Sequence, residues 1–169
     1  MKRLAPIFLL CAVLALAVAG CGDSDDSSGE TTSSTSTEAT ESSSTAEKTK
    51  PTVTTPNGAP PKKLEINDLE EGSGAEAKAG DEVTVQYVGV NFKNGQEFDS
   101  SWSRSEPFTF GLGAGQVIPG WDQGVEGMKV GGRRELIIPP DLAYGPTGSP
   151  PAIGPEETLI FVIDLLAVE

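Results

Sequence analysis

Histidine is absent from this chain of 169 residues. The side chain most often used as a general base near neutral pH, and the commonest metal ligand, are therefore both missing. Cysteine is almost as scarce: Cys11 and Cys21 both lie near the N-terminus. The rest of the chain has no thiol from which to build a disulfide or a zinc site. Positive charge is thin as well. The sequence holds 12 Lys and Arg against 25 Asp and Glu, a net charge of -13, and its pI is near 4.3. Nucleic-acid binding draws on clustered bases that displace counterions from phosphates, so the balance argues against a nucleic-acid partner. The basic pair Arg133-Arg134 falls on a strand, where successive side chains point to opposite faces, and makes no patch. No nucleophile–base pair and no metal-ligand cluster stands out, and neither cofactor nor metal is expected.

The apolar run from Leu4 to Ala19 follows Lys2 and Arg3. It is shorter than the ~20 residues a membrane-spanning helix requires. It ends in Val18-Ala19-Gly20-Cys21, which resembles the bacterial lipobox. The resemblance implies a lipoprotein signal peptide over residues 1–20, cleavage before Cys21, and lipidation of its sulfur. The mature protein would then be extracytoplasmic and lipid-anchored to the bacterial cell membrane. Asp23 to Lys50 is rich in serine and threonine and has no aromatic or large aliphatic side chain, and Pro51 to Pro61 adds four prolines. Such a stretch cannot bury enough apolar area to offset its ordering entropy. Residues 21–61 therefore read as a disordered tether. Deleting residues 23–55 should leave stability unchanged.

Residues 62–169 read as one domain. Leu64 to Leu69 alternates apolar and polar residues like a half-buried strand, and Val83 to Val90 is rich in β-branched and aromatic residues. Asn94-Gly95 signals a hairpin, with Gln96 to Asp99 starting the return strand. Phe108 to Phe110 is a short strand, and Pro119 to Met128 is the one convincing helix, with proline at its first turn. Arg133 to Ile138 and Thr158 to Val168 are further strands. The second of these is long and apolar, which places it centrally in the sheet. Many strands, one helix and tight turns predict an α+β domain, an antiparallel sheet of five to six strands wrapped around one short helix.

The chemistry concentrates in three segments: Glu97-Phe98-Asp99-Ser100-Ser101, Gln116-Val117-Ile118-Pro119-Gly120-Trp121 and Ala143-Tyr144-Gly145. Aromatic rings, one carboxylate and one tyrosine hydroxyl suit work on an uncharged group in a dry pocket. The order and spacing resemble the FKBP-type peptidyl-prolyl cis–trans isomerases, from about Lys63 to Glu169. The resemblance implies the same sheet-over-helix fold and places Trp121 as the floor beneath a proline ring. Tyr87, Phe98, Phe108 and Phe161 would be walls, with Val117 and Ile153 also contacting substrate. The Ile118 N–H and the Tyr144 hydroxyl would meet substrate carbonyls. Asp99, paired with Arg104 and with the Tyr87 hydroxyl beside it, would stand nearly buried at the pocket's edge. The implied partners are proline-containing unfolded or exported polypeptides and macrolide inhibitors of the FK506/rapamycin type.

The reaction fits such a site. Twisting an amide loses resonance and meets a barrier of ~18–20 kcal/mol. The planar form is the more charge-separated, so a water-poor site disfavours it relative to the twisted form. No proton transfer is needed. The alternative is a non-catalytic proline-binding or chaperone module with the same pocket; the presence of Asp99, Trp121 and Tyr144 together favours the enzyme. A spacer domain would show eroded pocket rings, and none is eroded.

The chain departs from the family pattern in the rim loop Gly145 to Pro155: Ser149 stands where many members carry histidine, and Ala152 where many carry a larger aliphatic residue. Trp102 stands where a polar or basic residue is common, and is either exposed beside the pocket or a strand-edge ring folded onto the surface. Gly111 to Gly115 looks like a phosphate loop but lacks the spaced glycine and the lysine such loops use, so it reads as a turn.

Overall fold

The computed structural model describes residues 48–169. The expected signal peptide, the expected lipidation site Cys21 and the serine-rich part of the expected tether lie outside the described residues.

Six antiparallel strands form one sheet: β1 (Glu65–Glu70), β2 (Glu82–Asn91), β3 (Glu97–Ser100), β4 (Phe108–Gly111), β5 (Arg133–Ile138) and β6 (Leu159–Val168). Their order is β1-β5-β6-β2-β3, with β4 pairing along β2. β6 lies at the centre, as its long apolar run, interrupted only by Asp164, requires. Two helices interrupt the strands, α1 (Ser101–Arg104) and α2 (Pro119–Val125). A 3-10 turn covers Pro140–Leu142. The fold is α+β, as the sequence predicts.

Side-chain alternation gives the sheet two apolar faces. Val83, Val85 and Tyr87 of β2 join Leu136 and Ile138 of β5 and Leu159, Phe161, Ile163 and Leu165 of β6 against Trp121 and Val125 of α2. The helix lies close because Gly120 and Gly124 face β5. A Cβ at Gly120 would stand 2.4 Å from Ile138 Cγ2, and one at Gly124 2.5 Å from Leu136 Cδ1. Alanine at either position would clash, so this approach sets the depth at which Trp121 enters the sheet. The alternate residues Val88, Val90, Ile137 and Ile160, with Phe92, form a second cluster on the opposite face.

Several expectations need correction. The segment nearest the domain is not a free tether. Its part from Lys48 to Val53 contacts the domain, and Val53 packs on the second cluster together with Trp102. Lys48 pairs with Glu70 at 2.8 Å, and Arg133 donates to the Thr49 carbonyl at 2.9 Å. Val53 is a single apolar residue among polar ones, and the sheet's second face supplies the surface it needs. Removing residues 48–55 should therefore cost stability, contrary to the composition-based expectation.

β1 is not half-buried: all six residues are exposed, with Ile66 at 44% and Leu69 at 51%. It sits at the sheet's edge and pairs only with β5, so the alternating pattern has no second layer to bury it. α2 ends at Val125 rather than Met128, because Glu126 turns to extended backbone. The Arg134 guanidinium takes the carbonyls of Gly124 at 2.8 Å and Glu126 at 3.1 Å, satisfying the helix end. Arg133 points to the other face and pairs with Asp164 through two bonds of 2.6 and 2.8 Å, so the two arginines do face apart.

Candidate active site

Trp121 reaches the sheet one residue past Gly120 and lies buried among rings. Its centroid is 5.1 Å from Tyr87 at 83° and 5.2 Å from Phe161 at 89°, both edge-to-face. Phe108 stands 6.2 Å away at 73°. Phe98 meets Phe161 edge-on at 5.5 Å. Edge-to-face pairs are favourable and directional, so each ring restrains its neighbours and the apolar box keeps its shape. The pocket they enclose is about 510 Å³, lined by Tyr87, Phe98, Asp99, Phe108, Gln116, Val117, Ile118, Pro119, Trp121, Tyr144 and Phe161. That is room for one ring-sized group with its flanking amides.

Polar groups sit at the margins. Ile118 precedes α2 in extended conformation, and its carbonyl receives the Trp121 N–H at 2.9 Å. No hydrogen bond from its own N–H to another described backbone group occurs. Tyr144 follows the 3-10 turn and is half-exposed at the rim. Burial pushes its hydroxyl pKa up, and the Asp99 charge adds to the shift.

Asp99 gathers three donors: the Tyr87 hydroxyl, an Arg104 N–H and, at 2.8 Å, the Ser100 backbone N–H. Arg104 also donates to the Tyr87 oxygen at 2.8 Å, and its guanidinium lies 5.7 Å from that ring's centroid. Partial burial pushes the Asp99 pKa up. The bond from Tyr87, then that from Arg104, outweighs the burial and holds the carboxyl below its ordinary value. The Tyr87 hydroxyl is pushed up to about 12, by burial first and then by its bond to Asp99. Asp99 is less buried than expected, its side chain 40% exposed, because β3 is the sheet's outer strand.

The structure brings together ten of the residues singled out in the sequence: Tyr87, Phe98, Asp99, Phe108, Val117, Ile118, Trp121, Tyr144 and Phe161 line the pocket, with Arg104 bonded to its edge. One expectation fails and one open alternative is decided. Ile153 is 4% exposed and packs in the core, outside the pocket lining. Its backbone bonds Ser149 in both directions at 3.0 Å, and this holds it inward. Trp102 lies on the sheet's far face rather than beside the pocket. Gln116 and Pro119 also line the pocket, although the sequence marks their segment without giving either a role. Their places beside Val117 and Ile118 were the available signal. The glycine-rich turn holds no anion nest: the Gly111 N–H goes to Gln116 at 3.0 Å, and those of Gly113 and Gly115 to Asp122 at 2.8 and 3.2 Å.

A family model described as FKBP-type peptidyl-prolyl cis-trans isomerase matches residues 74–166. An FK506-binding protein of Streptomyces anulatus is 62% identical over 120 residues, covering 70% of this chain and 97% of that protein. Among solved structures, AtFKBP13 is 41% identical with a TM-score of 0.58, over 63% of this chain and 93% of its own. FkpA from Escherichia coli is 43% identical with a TM-score of 0.57, over 63% of this chain. The chain spans about half of FkpA, 48% of its length.

Proposed function

We infer the working of this pocket from one premise: the chain belongs to the FKBP-type peptidyl-prolyl cis–trans isomerase family. It is a peptidyl-prolyl isomerase, and its substrates on our reading are X–Pro bonds in unfolded or exported polypeptides. A proline ring enters the aromatic box and rests on Trp121. Tyr87, Phe98, Phe108 and Phe161 exclude water from the amide. The planar amide loses the solvation its charge separation requires, while the twisted amide loses less. The Ile118 N–H and the Tyr144 hydroxyl donate to the carbonyls on either side and hold the twist. Asp99, fixed by Tyr87 and Arg104, keeps the edge of the box in register. Lowering the barrier by about 6 kcal/mol gives a gain of roughly ten-thousand-fold. The observation that carries this reading is the set of edge-to-face rings around Trp121, with Asp99 and the Tyr144 hydroxyl at the pocket's margin.

On the same reading the pocket takes macrolides of the FK506 and rapamycin type. The N-terminal pattern supports a further proposal: lipidation at Cys21 holds the domain on the outer side of the bacterial membrane. Radiolabelled fatty acid should enter the wild-type chain and not Cys21→Ala. The central test is isomerisation of a proline tetrapeptide with and without macrolide. Acceleration that the macrolide abolishes supports the reading. Peptide binding without acceleration makes the domain a binding module instead.

A further inference from the structure

α1 has only four residues, too few to hold a helix by itself. Each of them is anchored from outside. The Ser101 hydroxyl receives the Tyr87 backbone N–H at 2.7 Å and bonds the Gln86 side chain. Trp102 packs on the second apolar cluster, where Val53 also lies. The Ser103 hydroxyl donates to Glu97 at 3.3 Å and receives Lys50 Nζ at 3.5 Å. Lys50 Nζ itself pairs with Glu97 at 2.8 Å. Arg104 holds Asp99 and the Tyr87 hydroxyl. Two of the four anchors therefore involve the segment ahead of the domain. Lys50 ties β3, which carries Phe98 and Asp99, to α1, which carries Arg104.

We propose that Lys50 and Val53 are positioning residues for isomerisation, setting the Asp99–Arg104–Tyr87 edge of the pocket from behind through β3 and α1. The proposal rests on the reading of that edge as part of the active site. Lys50 makes a partly exposed ion pair, which alone contributes little to stability. Its effect lies in geometry, since an error of about 1 Å at a positioned group has a large effect on rate. Val53 supplies the apolar contact that keeps Lys50 over the β3–α1 corner. Lys48 belongs to the same segment but bonds elsewhere, to Glu70 at 2.8 Å and near Asp164 at 3.7 Å. It therefore serves as an internal control.

The test compares K50M, the double variant K50M/V53A, K50R/V53I and K48M in the full chain. Activity on a proline tetrapeptide is measured well below the melting temperature, and the guanidinium N–H signals of Arg104 are followed by NMR. K50M/V53A should lower kcat/KM about fivefold and release the Arg104 signals to fast exchange with solvent. K50R/V53I should restore both. K48M should lower the melting temperature and leave both readouts at wild-type values. If the double variant unfolds, K50M alone carries the comparison. Wild-type kcat/KM and unchanged Arg104 signals in K50M/V53A would overturn the proposal, and so would K48M moving both readouts as far. A wild-type chain without isomerase activity would sink the proposed function instead, and the Arg104 signals would still decide the positioning claim.

Discussion

A methyl group at Gly89 would strike two pocket walls at once. Gly89 lies in β2, opposite Asp99 of β3 on one side and Phe161 of β6 on the other. A Cβ built there stands 2.7 Å from Phe161 Cε1, 2.7 Å from Phe98 Cζ and 3.0 Å from Phe98 Cε2. Carbon atoms settle at about 3.5–4.0 Å, so one or both rings must retreat by roughly 1 Å. Phe161 has nowhere to go: it is 4% exposed on the central strand. Phe98 is half-buried on the outer strand, and it will swing. Forcing a methyl into a packed site costs about 1–3 kcal/mol, and with Phe98 opening onto the pocket the stability loss should fall near the lower end. The larger effect should be on shape, because the edge-to-face contact of Phe98 with Phe161 is lost and the mouth of the box changes. We expect Gly89→Ala to lower kcat/KM roughly tenfold, equivalent to about 1.4 kcal/mol. Urea denaturation gives the stability change, and proline-tetrapeptide isomerisation at low temperature gives the rate. A stability loss near 3 kcal/mol with kcat/KM unchanged would show that the core absorbs the strain, and the reasoning about Phe98 would be wrong.

Further outcomes are expected. Asp99→Val should weaken activity and macrolide affinity about tenfold while changing stability by no more than about 1 kcal/mol, since the carboxylate is partly exposed; intact activity would make it structural only. The rate should be flat between about pH 6 and 8, because Asp99 is held low and the hydroxyls of Tyr87 and Tyr144 are pushed up, all away from neutrality. The lowered Asp99 value means that its ion pair stabilises the fold above about pH 4 and is lost only as pH falls through the lower folded value. In the same assay Tyr144→Phe should cost about 1 kcal/mol and Trp121→Ala more, and a bell-shaped profile near neutrality would contradict the desolvation account. Arg134→Met should destabilise the domain by about 2–3 kcal/mol in thermal or urea unfolding, since it leaves Asp68 and the Gly124 and Glu126 carbonyls without their donor. A loss under about 0.5 kcal/mol would show that water replaces the guanidinium at no cost.

Much of this structure was legible because the signals are local. Val83 to Val90 and Leu159 to Val168 declare strands by β-branching and apolar runs, and Pro119 marks where α2 begins. The pocket rings declare themselves by order and spacing. What stayed hidden depends on partners distant in the sequence. Val53 looks like one apolar residue in a polar stretch, and only the even-numbered faces of β2 and β6 give it a surface. Trp102 is turned to that same face by α1, whose four residues are too few to show a period. Ile153 falls at a rim position by resemblance, but its paired bonds to Ser149 hold it inside. Asp99 has the bonding partners expected of it, yet how wet it is depends on β3 being an outer strand, which no pattern of residues near Asp99 reveals.

The place of β6 has a consequence for the timing of folding. It is the last strand in chain order, yet it pairs with β2 on one side and β5 on the other. Val83 bonds opposite Val168 and Asn91 opposite Leu159, so these contacts join the two ends of the domain. Until residues 159–168 are free to pair, β2 and β5 have no strand between them and the apolar faces stay open. Non-local pairing of this kind is paid for in loop-closure entropy before it gives any return. A growing chain should therefore stay unfolded and sticky along nearly its whole length, then close in one step when the final strand is free. Chains stalled even a few residues into β6 should be clients for chaperones rather than weak enzymes.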